Sequence, residues 1–349
     1  MTAPAIPARP AEQDDGLRPL PWRRMAWVTW RQHRMSLSAA AALLGALAVY
    51  LWLAGLHLHH AYAAATACHP ASSEACENMV FDFDGNYRPT AQTIATLLHA
   101  VPALIGAFAG APVLARELET GTFRYAWTQG FGRWRWALAK LVPLAVALAA
   151  AAGVFSLLFS WYFRPFFADG SRIPLDPELF SLRGVAFAAW TLAAFAIGAL
   201  AGMLIRRVVP AIAATLAVYG GLTLVTDLYL QKLYAVPLTT SNLAVPGSAW
   251  IISQWWTRGG SVLSPAAMDR VIHATLEQIA PVVHSKAQKV QVVTVNLPRY
   301  LTQHGYTQWT RYQPGSRFWP FQGIEAGWLL ALSVLLIAAT VWLVRRRAT

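Results

Sequence analysis

The most patterned run of ionisable side chains is residues 116–140, RELETGTFRYAWTQGFGRWRWALAK. Glu117 and Glu119 precede a Gly121-Thr122 turn, Arg124 and Trp127 lie on the short stretch after it, and Arg133, Arg135 and Lys140 follow. Thr122 suits the N-cap of a short helix, FRYAWTQ, that ends at Gly130, and the two carboxylates lie just before its positive end. Such a segment is built to bind and to be pushed, not to react. A two-turn helix held between two apolar runs acts as a lever on both of them, while the Trp and Arg residues behind it anchor the loop at an interface. The plainer alternative is a basic loop that only fixes topology.

The other residue types capable of chemistry are few. Cys68 and Cys76, the only cysteines, are eight residues apart and can close a small disulfide ring. With His57, His59, His60 and His69 nearby they could instead hold a metal, but an HxHH run at a helix end reads more simply as polar residues at an interface. A phosphate-binding loop needs a Gly-Lys pair, and the four lysines, Lys140, Lys232, Lys286 and Lys289, follow Ala, Gln, Ser and Gln. HExxH, GxSxG and paired membrane aspartates are also missing, which argues against an enzyme. Any ATP hydrolysis then belongs to another chain.

The elements that must carry these residues follow from composition. The 349 residues are 56% hydrophobic and only 13% charged, against about 25% in soluble domains, so the chain belongs in a membrane. The net charge of +12 is spread over the flanks of apolar runs and forms no continuous patch, which sets nucleic acid aside. Six runs reach the roughly 20 residues that cross a bilayer: 36–57, 94–115, 137–161, 184–205, 208–229 and 324–344. Charges such as Asp227 and Glu325 fall near their ends, and nothing acidic is expected at depth. That speaks against an ion-coupled carrier, which buries a titratable group near the midplane.

Orientation follows from the basic residues in short flanks. Placing both termini in the cytoplasm puts 16 of the 28 basic and five of the 16 acidic residues inside, a balance of +11 that leaves +1 outside. Residues 1–21 read as a disordered tail. In 22–35, Arg23, Arg24 and Arg31 fall on one side of a helix and Trp22 and Trp30 on the other, with Trp27 breaking the pattern. This is an interfacial helix, or alternatively a charged flank that sets topology. The first apolar run is too long, and its basic flank too extended, for a cleaved signal.

The second run holds Gly106 and Gly110, and the fourth Gly198 and Gly202. These are either close helix contacts of the GxxxG kind or a reflection of general Ala/Gly richness. Residues 58–93 read as an outer loop. Residues 230–323 are too long for a connection and read as a small α+β extracytoplasmic domain, with a helix from Ser264-Pro265, a strand at 289–296 and a short helix over 298–304.

Taken together, Glu117, Glu119, Gly121, Thr122, Arg133 and Lys140 stand in an order that resembles the loop between the second and third spans of permeases of the second class of ATP-binding-cassette (ABC) exporters, the ABC-2 type. The layout of six spans, cytoplasmic ends and a large segment before the last span is similar as well. The resemblance implies an all-α polytopic fold of type V exporters and a coupling helix at 117–130 seated in a separate ATPase, with Arg124 and Trp127 on it. It implies ATP and Mg in that ATPase, no cofactor in this chain, and a second permease copy or homologue forming a dimer in a bacterial plasma membrane. The long external segment departs from the pattern. A membrane-anchored sensor or interaction protein, acting through that segment, is the alternative; the nearly uncharged spans point weakly to a hydrophobic or amphiphilic cargo.

Overall fold

The computed structural model describes residues 22–70, 73–121, 133–243, 245–279, 292 and 296–346, with the side chains of 22–40, 43, 133, 278 and 279 outside that description. Among the described residues, six helices are long and apolar enough to cross a membrane. They are α1 (Trp22–Thr66), α2 (Glu74–Thr120), α3 (Arg133–Tyr162), α6 (Ala186–Ile205), α7 (Val208–Leu233) and α10 (Phe318–Arg346), with short helices α4 (Arg164–Ala168) and α5 (Pro177–Phe180) between α3 and α6. The last four spans fall within a few residues of the expected runs, apart from an N-terminal extension of α10.

The first two spans correct the expectation. Residues 58–93 are not a loop: α1 runs unbroken to Thr66 and α2 begins at Glu74, so two helices meet through a turn. α1 is 45 residues long, about 67 Å at 1.5 Å per residue, and the basic segment 22–35 is the backbone continuation of the same helix. Ser73 caps α2 by accepting from the Cys76 amide at 3.3 Å, with Glu74 and Glu77 in the first turn. Hydroxyl capping and an acidic first turn both favour a helix start there, although the residues are too polar for a hydropathy window to detect. Cys68 and Cys76 are joined as a disulfide across this turn, with Cα atoms 5.5 Å apart.

The hairpin is zipped by aromatic packing. Phe83 of α2 meets Phe166 of α4 with ring centroids 5.8 Å apart, and Phe159 and Phe163 are almost fully buried beside them. His59 stacks on Trp161 at 4.7 Å and its Nε2 lies 3.0 Å from the Trp161 carbonyl, while His57 Nε2 meets the Tyr87 hydroxyl at 3.2 Å. Both imidazoles are thus engaged between helices. Among the described residues no three His, Cys, Asp or Glu side chains gather as a metal site.

The fourth span, α6, is the centre of the bundle, two thirds of it buried where the others are half buried or less. It packs against α2 through the two GxxxG pairs. A Cβ on Gly198 would sit 2.2 Å from the Gly106 carbonyl oxygen, and one on Gly106 would sit 2.5 Å from that of Ala194. Only hydrogen fits between these backbones, so the glycines make specific contacts instead of reflecting mere composition. The same stretch of α2, Gly106–Gly110, is wound as a π-turn, and Thr226–Leu230 of α7 is another. Single π-turns commonly mark functional positions in helices.

Between α7 and α10 lies a small α+β unit. β1 (Leu238–Thr240), β2 (Trp250–Arg258), β3 (Ser261–Val262) and β4 (Tyr306–Gln313) form an antiparallel sheet in the order β1-β4-β2-β3. β2 and β3 are joined by Gly259 and Gly260, both at positive φ, the backbone that a two-residue hairpin needs. α8 (Pro265–Ile279) and α9 (Leu297–Gln303) bury Met268, Leu297 and Leu301 with Tyr306 of the sheet. Both helices match the expectation. The strand expected at 289–296 does not: its described residues, Val292 and Asn296, are helical, because Asn296 leads directly into α9, whose first turn accepts Pro298.

Candidate functional site

Two polar clusters stand out in a bundle that is otherwise apolar. The first lies at the end away from the α+β unit, where α2 stops. Gly121 ends it with φ +70, a left-handed residue that suits glycine. In the last turn Glu117 makes an ion pair with Lys140 of α3, both side chains largely buried, and Lys140 also lies 4.6 Å from the centroid of the Trp136 ring. A buried ammonium needs such company, since an unpaired charge there is strongly unfavourable. Glu119 Oε2 accepts from the Val208 amide at 3.1 Å. Val208 opens α7, where the first four amides lack partners within the helix and a carboxylate is favourably placed.

The last turn of α2 therefore clips the second span to both the third and the fifth. Arg206, at φ 59, turns the chain sharply between α6 and α7 beside this clip. Thr122, Arg124 and Trp127 lie outside the described residues, so Glu117 and Glu119 are placed in α2 itself, ahead of whatever follows Gly121. Arg133 opens α3 and Arg135 lies 5.3 Å over the Trp134 ring. Arg23, Arg24, Trp27, Trp30 and Arg31 are seen as helical backbone of α1 only.

The second cluster is at the opposite end and corrects the expectation that nothing acidic lies deep. Glu325 of α10 is fully buried. Its Oε1 accepts from Trp190 Nε1 at 2.7 Å, and its Oε2 accepts from the Tyr234 hydroxyl at 3.0 Å and from Gln231 Nε2 at 3.4 Å. Trp328 Nε1 in turn donates to the Tyr234 oxygen at 3.2 Å. One turn earlier, Gln322 accepts from the Ala186 amide and donates to the Phe180 carbonyl, both at 2.9 Å, which pins the entry to α6. Arg183 in that entry lies between Phe167 and Phe318, 4.0 and 5.0 Å from the ring centroids, and burial pushes its guanidinium down to about 10, which still leaves it charged at neutral pH.

Trp190 also lines a cavity of about 200 Å3. Trp190, Tyr219, Phe187, His99, Ser181 and Asp227 are among the residues that line it, and Asp227 belongs to the π-turn of α7. His99 Nδ1 donates to the Ala95 carbonyl at 2.8 Å, and its Nε2 lies 3.1 Å from the Ser181 hydroxyl.

This arrangement of six spans has a match among protein families. A family model described as "ABC-2 membrane transporter related" matches residues 41–231, more than half of the chain. The chain belongs to that family. It is a multi-pass membrane protein of the transporter-permease kind, as the order of residues in 116–140 implied. No curated protein and no solved structure matches it. The matched residues run from α1 to Gln231 in α7, so the ABC-2 region contains the clip around Glu117 and Glu119 and the residues that line the cavity, while the α+β unit and α10 lie beyond it.

Sequence reasoning missed the role of Glu325, and a signal existed. A glutamate seven residues into an apolar helix with Gln322 one turn before it forms a polar stripe at helical spacing, and a charge there is rarely left unpartnered. Replacing Glu325 with leucine is expected to destabilise the chain by about 2 kcal/mol, because the buried Trp190 donor and the half-buried Tyr234 donor would be left without an acceptor. Glu325→Gln should lose less, since it keeps one acceptor oxygen. Thermal unfolding of the purified chain in detergent checks this, and equal midpoints for Leu and Gln would contradict it.

Proposed function

We propose that the chain is the transmembrane permease subunit of an ATP-driven ABC exporter of type V architecture. A separate ATPase, which binds and hydrolyses ATP with Mg, docks on the loop that follows Gly121, and two permease copies or homologues pair around a path through a bacterial plasma membrane. Both termini then lie in the cytoplasm, the α+β unit is extracytoplasmic, and the chain itself has no catalytic role and no nucleic-acid partner. The cargo is hydrophobic or amphiphilic and leaves the cytoplasm or inner leaflet.

The observation that carries this reading is the clip at the end of α2. A push on the loop beyond Gly121 reaches the third span through Glu117 and Lys140 and the fifth through Glu119 and the Val208 amide. A membrane anchor has no use for such a linkage, whereas a permease must convert force at one end into separation of helices. Gentle purification of the tagged chain from its own host, followed by mass spectrometry, tests it. A P-loop ATPase in stoichiometric amount is expected. Recovery of the chain alone, or with external proteins only, would move the function to the α+β unit.

A further inference from the structure

The cavity beside Trp190 combines features that select for one kind of ligand, and we infer that it receives the ammonium headgroup of a cationic amphiphile. Asp227 is exposed although it sits within an apolar span; it makes no hydrogen bond or salt bridge among the described residues, and His99 in the same cavity lining interacts favourably with its charge. An ionisable side chain in a span is retained where it meets a partner or a polar path. Here the partner is supplied by neither lysine nor arginine, because neither lines the cavity among the described residues.

The walls supply the rest of the recognition. Trp190 and Tyr219 meet edge to face at 5.6 Å, and Phe187 adds a third ring to the lining. Aromatic faces attract an ammonium, and several around one carboxylate make a cage that a methylated nitrogen fits without needing hydrogen bonds. The indole N–H of Trp190 donates to Glu325, so a second carboxyl group polarises that ring. His99 also lines the cavity, with its two ring nitrogens within hydrogen-bond distance of the Ala95 carbonyl and the Ser181 hydroxyl.

Size fixes which part of the ligand enters. At about 200 Å3 the cavity is smaller than the roughly 300–1,000 Å3 that hold a whole drug-sized molecule, so it takes a headgroup. Leu224, Val225 and Leu228 are exposed on the same helix beside Asp227, which leaves an apolar surface for an alkyl chain. As cargo recognition this rests on the permease reading; as binding it does not, and the two are tested apart.

The test uses the full chain purified in a neutral maltoside detergent, without ATPase or ATP. Radiolabelled decyltrimethylammonium is the probe, with unlabelled decyltrimethylammonium and decyl sulfate as competitors. Saturable binding displaced by the cation and not by the sulfate is expected. Asp227→Asn, nearly the same shape, is expected to weaken binding by about tenfold, and Phe187→Leu by about threefold, as the loss of a charge contact and of one ring face imply. Asp269→Asn, an exposed carboxylate on α8, should change nothing. Equal displacement by decyl sulfate, which needs no variant to observe, or undiminished binding by Asp227→Asn would overturn the inference. Failure here with an ATPase still copurifying would leave the permease reading intact and remove only the cationic headgroup.

Discussion

Gly198→Ala, the addition of one methyl group, is expected to destabilise the chain by about 4 kcal/mol or more, at the severe end for point substitutions. The new Cβ would sit 2.2 Å from the Gly106 carbonyl oxygen and 2.8 Å from the Ala111 nitrogen. Those neighbours are backbone atoms of α2, so no rotamer change relieves the overlap; the second and fourth spans must move apart. Separation would also open the contacts of Gly110 and Gly202, whose own Cβ positions come within 2.6 and 2.3 Å of backbone oxygens. Gly153→Ala in α3 is the matched control. Nothing lies within 4 Å of its Cβ position, so it is expected to be neutral or to stabilise by up to about 1 kcal/mol through helix propensity. Unfolding midpoints of the two purified variants should therefore move in opposite directions or differ widely. Similar shifts would mean that the two glycine pairs are not the contact that holds the bundle's centre.

That contact was half legible in the sequence. The spacing of Gly106, Gly110, Gly198 and Gly202 announces two small-residue faces, but spacing alone does not say that the faces meet each other, and general Ala/Gly richness produces the same letters. The spans themselves were readable because a bilayer imposes a length on apolar runs. The same measure hid the hairpin extension at 58–93, whose residues include Glu74, Glu77, Asp82 and Asp84. A window that scores hydropathy cannot see a helix whose start is set by Ser73 and whose packing is aromatic.

Glu325 was illegible for a different reason. Its partners Trp190, Gln231 and Tyr234 are separated from it by 135, 94 and 91 residues, so nothing local indicates that the carboxylate is satisfied inside the bundle. Read along the chain it is a charge near a helix end; read in three dimensions it ties the fourth, fifth and sixth spans together. The strands β2 and β3 were illegible in a milder sense. The Gly259-Gly260 pair after an aromatic run was a hairpin signal available in the sequence, overshadowed by the length of the segment around it.

The second large effect concerns force transmission. On the proposed permease function, Glu119→Arg is expected to cut the ATP-dependent movement of the spans by about tenfold to a hundredfold, the range that a coupling energy of a few kcal/mol spans. The lost element is the bond from Glu119 to the Val208 amide, by which the end of α2 grips the start of the fifth span. Arginine also places a cation at the positive end of α7, beside Arg206 and Arg207, at a local cost of only about 1 kcal/mol. The chain should still insert and fold. A readout that needs no cargo is the labelling rate of Thr223→Cys, which lines the cavity, by an impermeant maleimide in proteoliposomes with the partner ATPase. With Glu119 present, ATP should change that rate; in the Glu119→Arg variant the change should largely vanish while hydrolysis continues. Glu119→Gln separates charge from geometry, because its amide oxygen can still accept from Val208, so most of the response should return. If Glu119→Arg leaves the ATP response whole, the clip is a structural cap and the force travels elsewhere. If insertion and hydrolysis fail along with the response, the residue is needed for folding and says nothing about coupling.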